Sequence, residues 1–235
     1  MKIVLVDSGI GGLTLLKRLI KAYPQVMFCY YADNAYHPYG DMDGRELKEH
    51  LTLICNTLFS QGANAIILAC NTASTIALTH LRRKIDGQIF GVKPFLNPPY
   101  NRSLIMCTPL TANSITVKRQ VKEGASVYAN ACLARLVEEV APDFNELENY
   151  LREELKSFNP DTISLGCTHY VFLKDVIERV TGAKTIDGYD KLLKEITPYV
   201  NKNSDRISNI TADKITFIFS GKDEKQKYFK LLGTF

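Results

Sequence analysis

The chain has no apolar run that approaches the length of a membrane span. Its opening stretch, MKIVLVDSG, carries four consecutive apolar residues before Asp7, too few for the core of a signal peptide. Cytoplasmic residence, with no membrane partner, is the expectation. Blocks of like charge are missing as well. The Lys and Arg residues are scattered and the formal charge is only +4, so no nucleic-acid partner is expected. No two of the six cysteines, at positions 29, 55, 70, 107, 132 and 167, stand at CxxC spacing. That argues against a zinc ribbon or a thioredoxin-type motif, and in a reducing compartment it leaves no disulfide framework. Low-complexity segments and short repeats are absent. What remains, 235 residues with 46% hydrophobic and 23% charged, is the make-up of an ordinary globular protein of one large or two small domains.

Short apolar runs alternate with helical patterns. KIVLV (2–6), VMFCYYAD (26–33), AIILAC (65–70), SLIMCT (103–108), DTISLGC (161–167) and KITFIFSG (214–221) read as strands. Helical spacing marks GGLTLLKRLIKAYP, RELKEHLTLICNTLFSQG, ASTIALTHLRRKI, ANSITVKRQVKEG, ARLVEEV, FNELENYLREELKS, VFLKDVIERVTG and YDKLLKEITPYV, with a last helix after the sixth strand. NKNSDRISN (201–209) reads as a polar loop. Such alternation predicts an α/β fold of mostly parallel sheets flanked by helices. GVKPFLNPPYNR (91–102) holds three of the nine prolines and separates two similar halves. The expected division is a first domain over 1–91, with 189–235 returning to it, and a second over 92–188, with the active site in the cleft between them.

In open α/β sheets a ligand sits at the carboxyl ends of the strands. Five polar clusters fall there: DSGIGG (7–12), DNAYHPYG (33–40), ACNTAS (69–74), TPLTANS (108–114) and GCTHY (166–170). They hold few cations and many small hydroxyl and amide groups. Turns of this kind present backbone N–H groups at helix starts, which bind carboxylate or phosphate. A small anionic ligand fits.

Cys70 and Cys167 end strands in matching contexts, one in each half. A cysteine at a helix start feels the positive end of the dipole, which draws its pKa toward the thiolate. Two thiols on opposing walls could flank one carbon. One would remove a proton while the other delivers one to the opposite face. The ordinary alternative is a buried structural thiol, and it stands for Cys29, Cys55, Cys107 and Cys132. His169, two residues after Cys167, can act as its proton partner. Asp7 and Asp33 can pair with a substrate ammonium or tune a thiol, and Asp7 can also cap the helix that follows. His37, His50 and His80 read as surface or loop residues, with only His37 in a site loop. A metal would need Cys70, Cys167 and His169 to converge among few carboxylates, so no metal is expected.

Taken together and in this order, DSGIGG, DNAYHPYG, ACNTAS, TPLTANS and GCTHY resemble the glutamate racemase family, within the wider aspartate/glutamate racemase superfamily; FIFSG resembles its C-terminal strand. The resemblance covers nearly the whole chain. It implies racemisation of glutamate by two cysteines with no cofactor, supplying D-glutamate for peptidoglycan, and a homodimer. By the same resemblance Cys70 would deprotonate D-glutamate and Cys167 L-glutamate, assisted by Asp7 and His169. Ser8, Tyr39, Gly40, Asn71, Thr72, Thr111 and Thr168 would hold the substrate. Asp33 joins this set, as does Glu138, the nearest match to an acidic residue that the family places at the site, with Glu139 competing. GVKP is a residue shorter than the family's usual stretch, ACLARLVEEV is also short, and Ala32 stands where many members have Gly. These departures bear on substrate choice. The same machinery acting on another small acid such as aspartate, or a binding protein that keeps the cleft without turnover, are the alternatives.

Overall fold

The first strand, β1 (Lys2–Asp7), is buried along almost its whole length, and successive side chains point to opposite faces. Ile3 and Leu5 enter one apolar cluster and Val4 and Val6 another. Both faces of the sheet are therefore covered, as parallel sheets require, and a near-continuous apolar run is the signature. The computed structural model describes residues 1–203, 205 and 215–234 of the chain.

The first half continues through α1 (Leu13–Ala22), β2 (Met27–Ala32), α2 (Gly44–Ser60), β3 (Ala65–Leu68), α3 (Asn71–Lys84) and β4 (Gln88–Gly91). Asp43 caps α2 by accepting from the Arg45 and Glu46 N–H groups. Just past the helix, Gly62 takes φ +86°, a left-handed turn that favours glycine. The second half holds β5 (Ser103–Cys107), α4 (Pro109–Ala112), α5 (Ile115–Lys122), β6 (Ser126–Ala129), α6 (Leu133–Val140), α7 (Glu148–Leu155), β7 (Thr162–Leu165), α8 (Lys174–Thr181) and β8 (Lys184–Ile186). Then come α9 (Tyr189–Lys202), β9 (Ile215–Phe219) and α10 (Lys225–Thr234).

Two sheets result, in the strand orders β4-β3-β1-β2-β9 and β6-β5-β7-β8, and every pairing is parallel. The two-domain α/β fold with parallel sheets is as the sequence pattern predicts. Helix α9 lies against the first sheet's side of the molecule. Tyr199 Oη donates to the Asn64 carbonyl, and Tyr23 Oη and Thr197 Oγ1 share a hydrogen bond.

The two sheets do not have wholly separate cores. Leu104 and Met106 of β5 belong to the same apolar cluster as Ile3 and Leu5, while Ile105 and Cys107 face a smaller one. A single interior thus runs between the halves. Each fully buried Leu or Ile there contributes about 1.5–3 kcal/mol relative to exposure.

Several local expectations need correction. Strands β4, β6 and β8 are not visible in the sequence pattern. The helix expected over 112–124 is broken: Thr108 caps a first turn and Ser114 caps a second helix by accepting from Val117 N–H. A hydroxyl at that point offers the backbone a fresh start. The helix expected from Val171 begins as a tighter turn over Thr168–Leu173 and becomes α-helical at Lys174. The helix expected from Phe144 likewise opens with a tight turn at Phe144–Leu147. Of the loop expected over 201–209, the first two residues finish α9, and 204 and 206–209 lie outside the described residues.

Candidate active site

The carboxyl ends of β1, β3, β5 and β7 meet between the two sheets. Cys70 is the N-cap residue of α3, and Cys167 precedes the tight turn that leads into α8. Both are nearly buried, at 7% and 6% exposure. They are close enough that charge on Cys167 acts on Cys70. Burial pushes the Cys70 thiol up, and the Asp7 carboxylate pushes it further; N–H groups of Ala73 and Thr72 at the helix start pull the other way and lose. The helix start therefore does not make Cys70 a resting thiolate. It rests as the neutral thiol, because desolvation outweighs the dipole.

Each thiol has its own charged neighbour. Asp7, fully buried at the end of β1, accepts from Gly9 N–H at 3.0 Å through Oδ1 and from Thr168 Oγ1 at 3.2 Å through Oδ2. Burial pushes its carboxyl up to about 6, against the pull of His169 and these donors. On the other wall His169 Nδ1 lies 3.8 Å from Cys167 Sγ, and Nε2 donates to Glu138 Oε1 at 3.0 Å. Burial alone would lower the imidazole pKa. Its bonds to Cys167 and Glu138 override that and hold it at about 10, as an imidazolium. Glu138 Oε1 also accepts from Ile10 N–H at 2.7 Å, and Oε2 from Lys227 Nζ at 3.1 Å. Burial would raise the Glu138 carboxyl; His169 and the Ile10 N–H hold it at about 2. Of Glu138 and Glu139, it is Glu138 that makes these contacts.

The hydroxyl set gathers between the sheets. Thr72 Oγ1 lies 3.0 Å from both Thr108 Oγ1 and Thr111 Oγ1. Ser8 is buried beside Asp7. Gly40 packs on Thr108, where a Cβ would come within 3.0 Å of its side chain. Asn71, the first residue of α3, is 1% exposed, and neither atom of its amide has a protein partner. A buried amide left unpaired costs free energy unless a ligand engages it. Tyr39 is buried and close enough to Cys70 for the two to interact electrostatically.

Asp33 sits in a different setting. Its Oδ2 accepts from Tyr39 Oη and from His50 Nε2, each at 2.6 Å. It anchors Tyr39 from behind. His50 is therefore not a simple surface residue; its only sequence signal is its place on α2 next to Leu47 and Leu51. His37 is half-buried, its ring 5.1 Å from that of His169. Burial, and then the His169 charge, push it down to about 4, so it is neutral. Among the described residues His37, Glu138 and His169 form one group of possible ligating atoms. The cysteine-centred convergence considered from sequence is not the one that forms. Lys227, on α10, had no sequence signal at all. A cavity of about 580 Å³ around Arg18, Phe95 and Lys191 contains none of these groups.

No protein-family model matches the chain. It is 33% identical over 246 residues to a glutamate racemase of Leptospira interrogans, covering 99% of this chain and 91% of that one. It is 39% identical over 199 residues to glutamate racemase 2 of Bacillus subtilis, covering 78% and 75%. Among solved structures it is similar to the glutamate racemase of Thermus thermophilus, in complex with beta-chloro-D-alanine, with a TM-score of 0.81 and 28% identity over 99% of this chain and 91% of that one. No helix among the described residues is long and apolar enough to cross a membrane. Identity of this extent over the full length, with the two-sheet fold and paired strand-end cysteines, settles the lineage: the chain belongs to the glutamate racemase family.

Proposed function

We propose that this protein interconverts L- and D-glutamate without a cofactor, with Cys70 and Cys167 as the paired acid and base. The observation that carries the reading is the placement of one nearly buried thiol from each sheet, close enough for charge on one to act on the other.

The α-proton of an amino acid is a weak acid, so the base must act where water is excluded and fixed dipoles meet the developing charge. In the L-to-D direction Cys167 takes the proton as a thiolate, with the His169 imidazolium beside it stabilising that charge. Cys70, held as the neutral thiol, gives its proton to the opposite face. The protonation states of the two thiols have then exchanged. The reverse direction starts from the opposite states: Cys70 is the thiolate, its proton passed to Asp7, whose carboxyl lies near 6, and Cys167 is the thiol, its proton supplied by His169. Asn71, Thr72 and Thr111 supply donors for the substrate carboxylates at the start of α3, with Ser8 and Thr168 beside Asp7 and with Tyr39 and Gly40 closing the wall. Asp33 and Glu138 support this wall, Asp33 through Tyr39 and Glu138 through His169.

The domain division at 1–91 with 189–235 against 92–188 belongs to the same proposal. It is supported by β1–β4 and β9 sharing one sheet and β5–β8 the other. A homodimer and a cytoplasmic supply of D-glutamate for peptidoglycan rest on the resemblance. Sedimentation of the purified protein reads the oligomeric state.

The test is solvent-deuterium incorporation at the α-carbon of each glutamate enantiomer, with circular dichroism to follow racemisation and aspartate as the comparison substrate. The wild type incorporates deuterium into both enantiomers. Cys70→Ser and Cys167→Ser each abolish racemisation in both directions. Near-full activity in either variant would rule out a two-thiol reaction.

A further inference from the structure

We propose that His37, Glu138 and His169 form a binding site for a divalent transition-metal ion of the zinc or cobalt type. The three side chains come from separate elements: the loop after β2, helix α6 and the turn after β7. Their ligating atoms all lie within 4.8 Å of one another. Around a zinc ion with bonds of about 2.1 Å, neighbouring donor atoms stand roughly 3.4 Å apart, so a small inward shift completes the set.

Three further observations point to a ligand. Both ring nitrogens of His37 are buried and without a hydrogen-bond partner, which leaves a lone pair unused. Gly9 faces the cluster. A Cβ there would run into Glu138 Oε1 and stand 3.0 Å from His37 Nδ1 and 3.2 Å from His169 Nε2, so glycine keeps the convergence point clear. A cavity of about 310 Å³ is lined by Gly9, His37, Glu138 and Lys227 among others, so two of the three ligands and the glycine border open space. Two imidazoles and a carboxylate are a common zinc donor set, with water in the fourth position.

The exchange balances simply. The ion takes the place of the proton that His169 Nε2 donates to Glu138 Oε1, and that proton leaves to water. Glu138 keeps the Ile10 N–H on Oε1 and Lys227 on Oε2. Lys227 sets the affinity, because its charge opposes the incoming cation. Bound there, the ion holds His169 by the nitrogen that faces away from Cys167, fixing the proton partner of that thiol. Zinc therefore lowers turnover; this consequence rests on the racemase reading, whereas binding does not.

The experiment is titration of the full chain with Co²⁺, followed by visible absorption, and with Zn²⁺ by calorimetry, both without glutamate. One Co²⁺ binds per chain, with no thiolate charge-transfer band. His37→Phe, which keeps the ring, weakens binding about tenfold or more, as loss of a ligand does. Lys227→Gln, at a part-exposed position, tightens it about threefold or more. The melting temperature without metal reports whether each variant folds, and if His37→Phe does not, the Lys227→Gln titration decides alone. Binding that His37→Phe leaves unchanged or that Lys227→Gln fails to tighten, a cobalt–thiolate band abolished by Cys70→Ser or Cys167→Ser, or no binding in either the wild type or Lys227→Gln overturns the proposal. Racemase assays with and without Zn²⁺ are read separately, so absence of turnover would count against the racemase reading and leave the cobalt result standing.

Discussion

Thr168 Oγ1 of the second half donates to Asp7 Oδ2 of the first at 3.2 Å, with both groups fully buried. That bond joins the two walls of the site directly. Thr168→Val keeps the shape and removes the donor. The expected loss is about 1.5 kcal/mol at pH 7, typical of a hydrogen bond to a charged group. Because the donor favours the carboxylate, the loss shrinks below pH 5. Urea unfolding at pH 7 and pH 4.5 checks this, and an equal loss at both would mean that the carboxylate is not the partner.

Asp7 makes a wider pH prediction. Its carboxyl rises from 3.8 in the unfolded chain to about 6 in the fold, through burial. Below 3.8 both states hold the proton. Between 3.8 and 6 only the folded state does, so stability falls as pH rises through that window and levels off above it. The full cost at pH 7 is about 3 kcal/mol. Asp7→Asn removes the ionisation, so it unfolds at higher urea than the wild type at pH 7 and shows a flatter profile from pH 4 to 6. Racemisation by the same variant drops about a hundredfold or more, the scale of a lost proton-transfer group. A variant no more stable at pH 7 would show that the carboxylate carries no such burden.

Gly11 gives a steric prediction. A Cβ there would collide with Thr168 Oγ1 and stand 2.8 Å from His169 Nδ1. Gly11→Ala therefore forces the two walls apart and lowers both stability and kcat. At Gly233, exposed in α10, an added Cβ meets nothing within 4 Å. Gly233→Ala is neutral or stabilises by up to about 1 kcal/mol through helix propensity. Thermal melts of the pair make the comparison, and equal behaviour would contradict the packing at the DSGIGG turn.

The thiols differ in reactivity. Cys132 is exposed, whereas Cys70 is nearly buried with its thiol pKa raised. Thiolates, not thiols, are alkylated. Iodoacetamide at pH 7 modifies Cys132 first and Cys70 only slowly, as peptide mass spectrometry over time will show. Labelling of Cys70 at the rate of Cys132 would mean that its burial does not hold in solution.

The central strands and long helices were legible because their patterns are strong. β1 alternates between two buried faces, and α2 repeats Leu47, Leu51, Ile54 and Leu58 along one stripe. Strands β4, β6 and β8 were not. Each is an edge strand of three or four residues with part of its length exposed, too short to establish a period of two. Within the site, Cys70, Cys167, Asp7 and His169 stood out because they sit at strand ends in repeated contexts. The Asp33–His50 bond, the His37–His169 contact and the Lys227–Glu138 pair did not, since each depends on elements that only the folded chain brings together. The dipole argument for Cys70 failed for a related reason: how deeply a thiol is desolvated is a property of the packing around it.

The pairing of β9 along β2, with Lys227 following on α10, has a consequence for synthesis. Ribosomes release these elements late, yet they complete a site whose first carboxylate is made at residue 7. A nascent chain halted before β9 leaves the Phe28–Ala32 edge of its first sheet unpaired, a template for strands of other chains. Early termination products should therefore be found in the insoluble fraction of an expression culture, with no pool of half-built enzyme beside them.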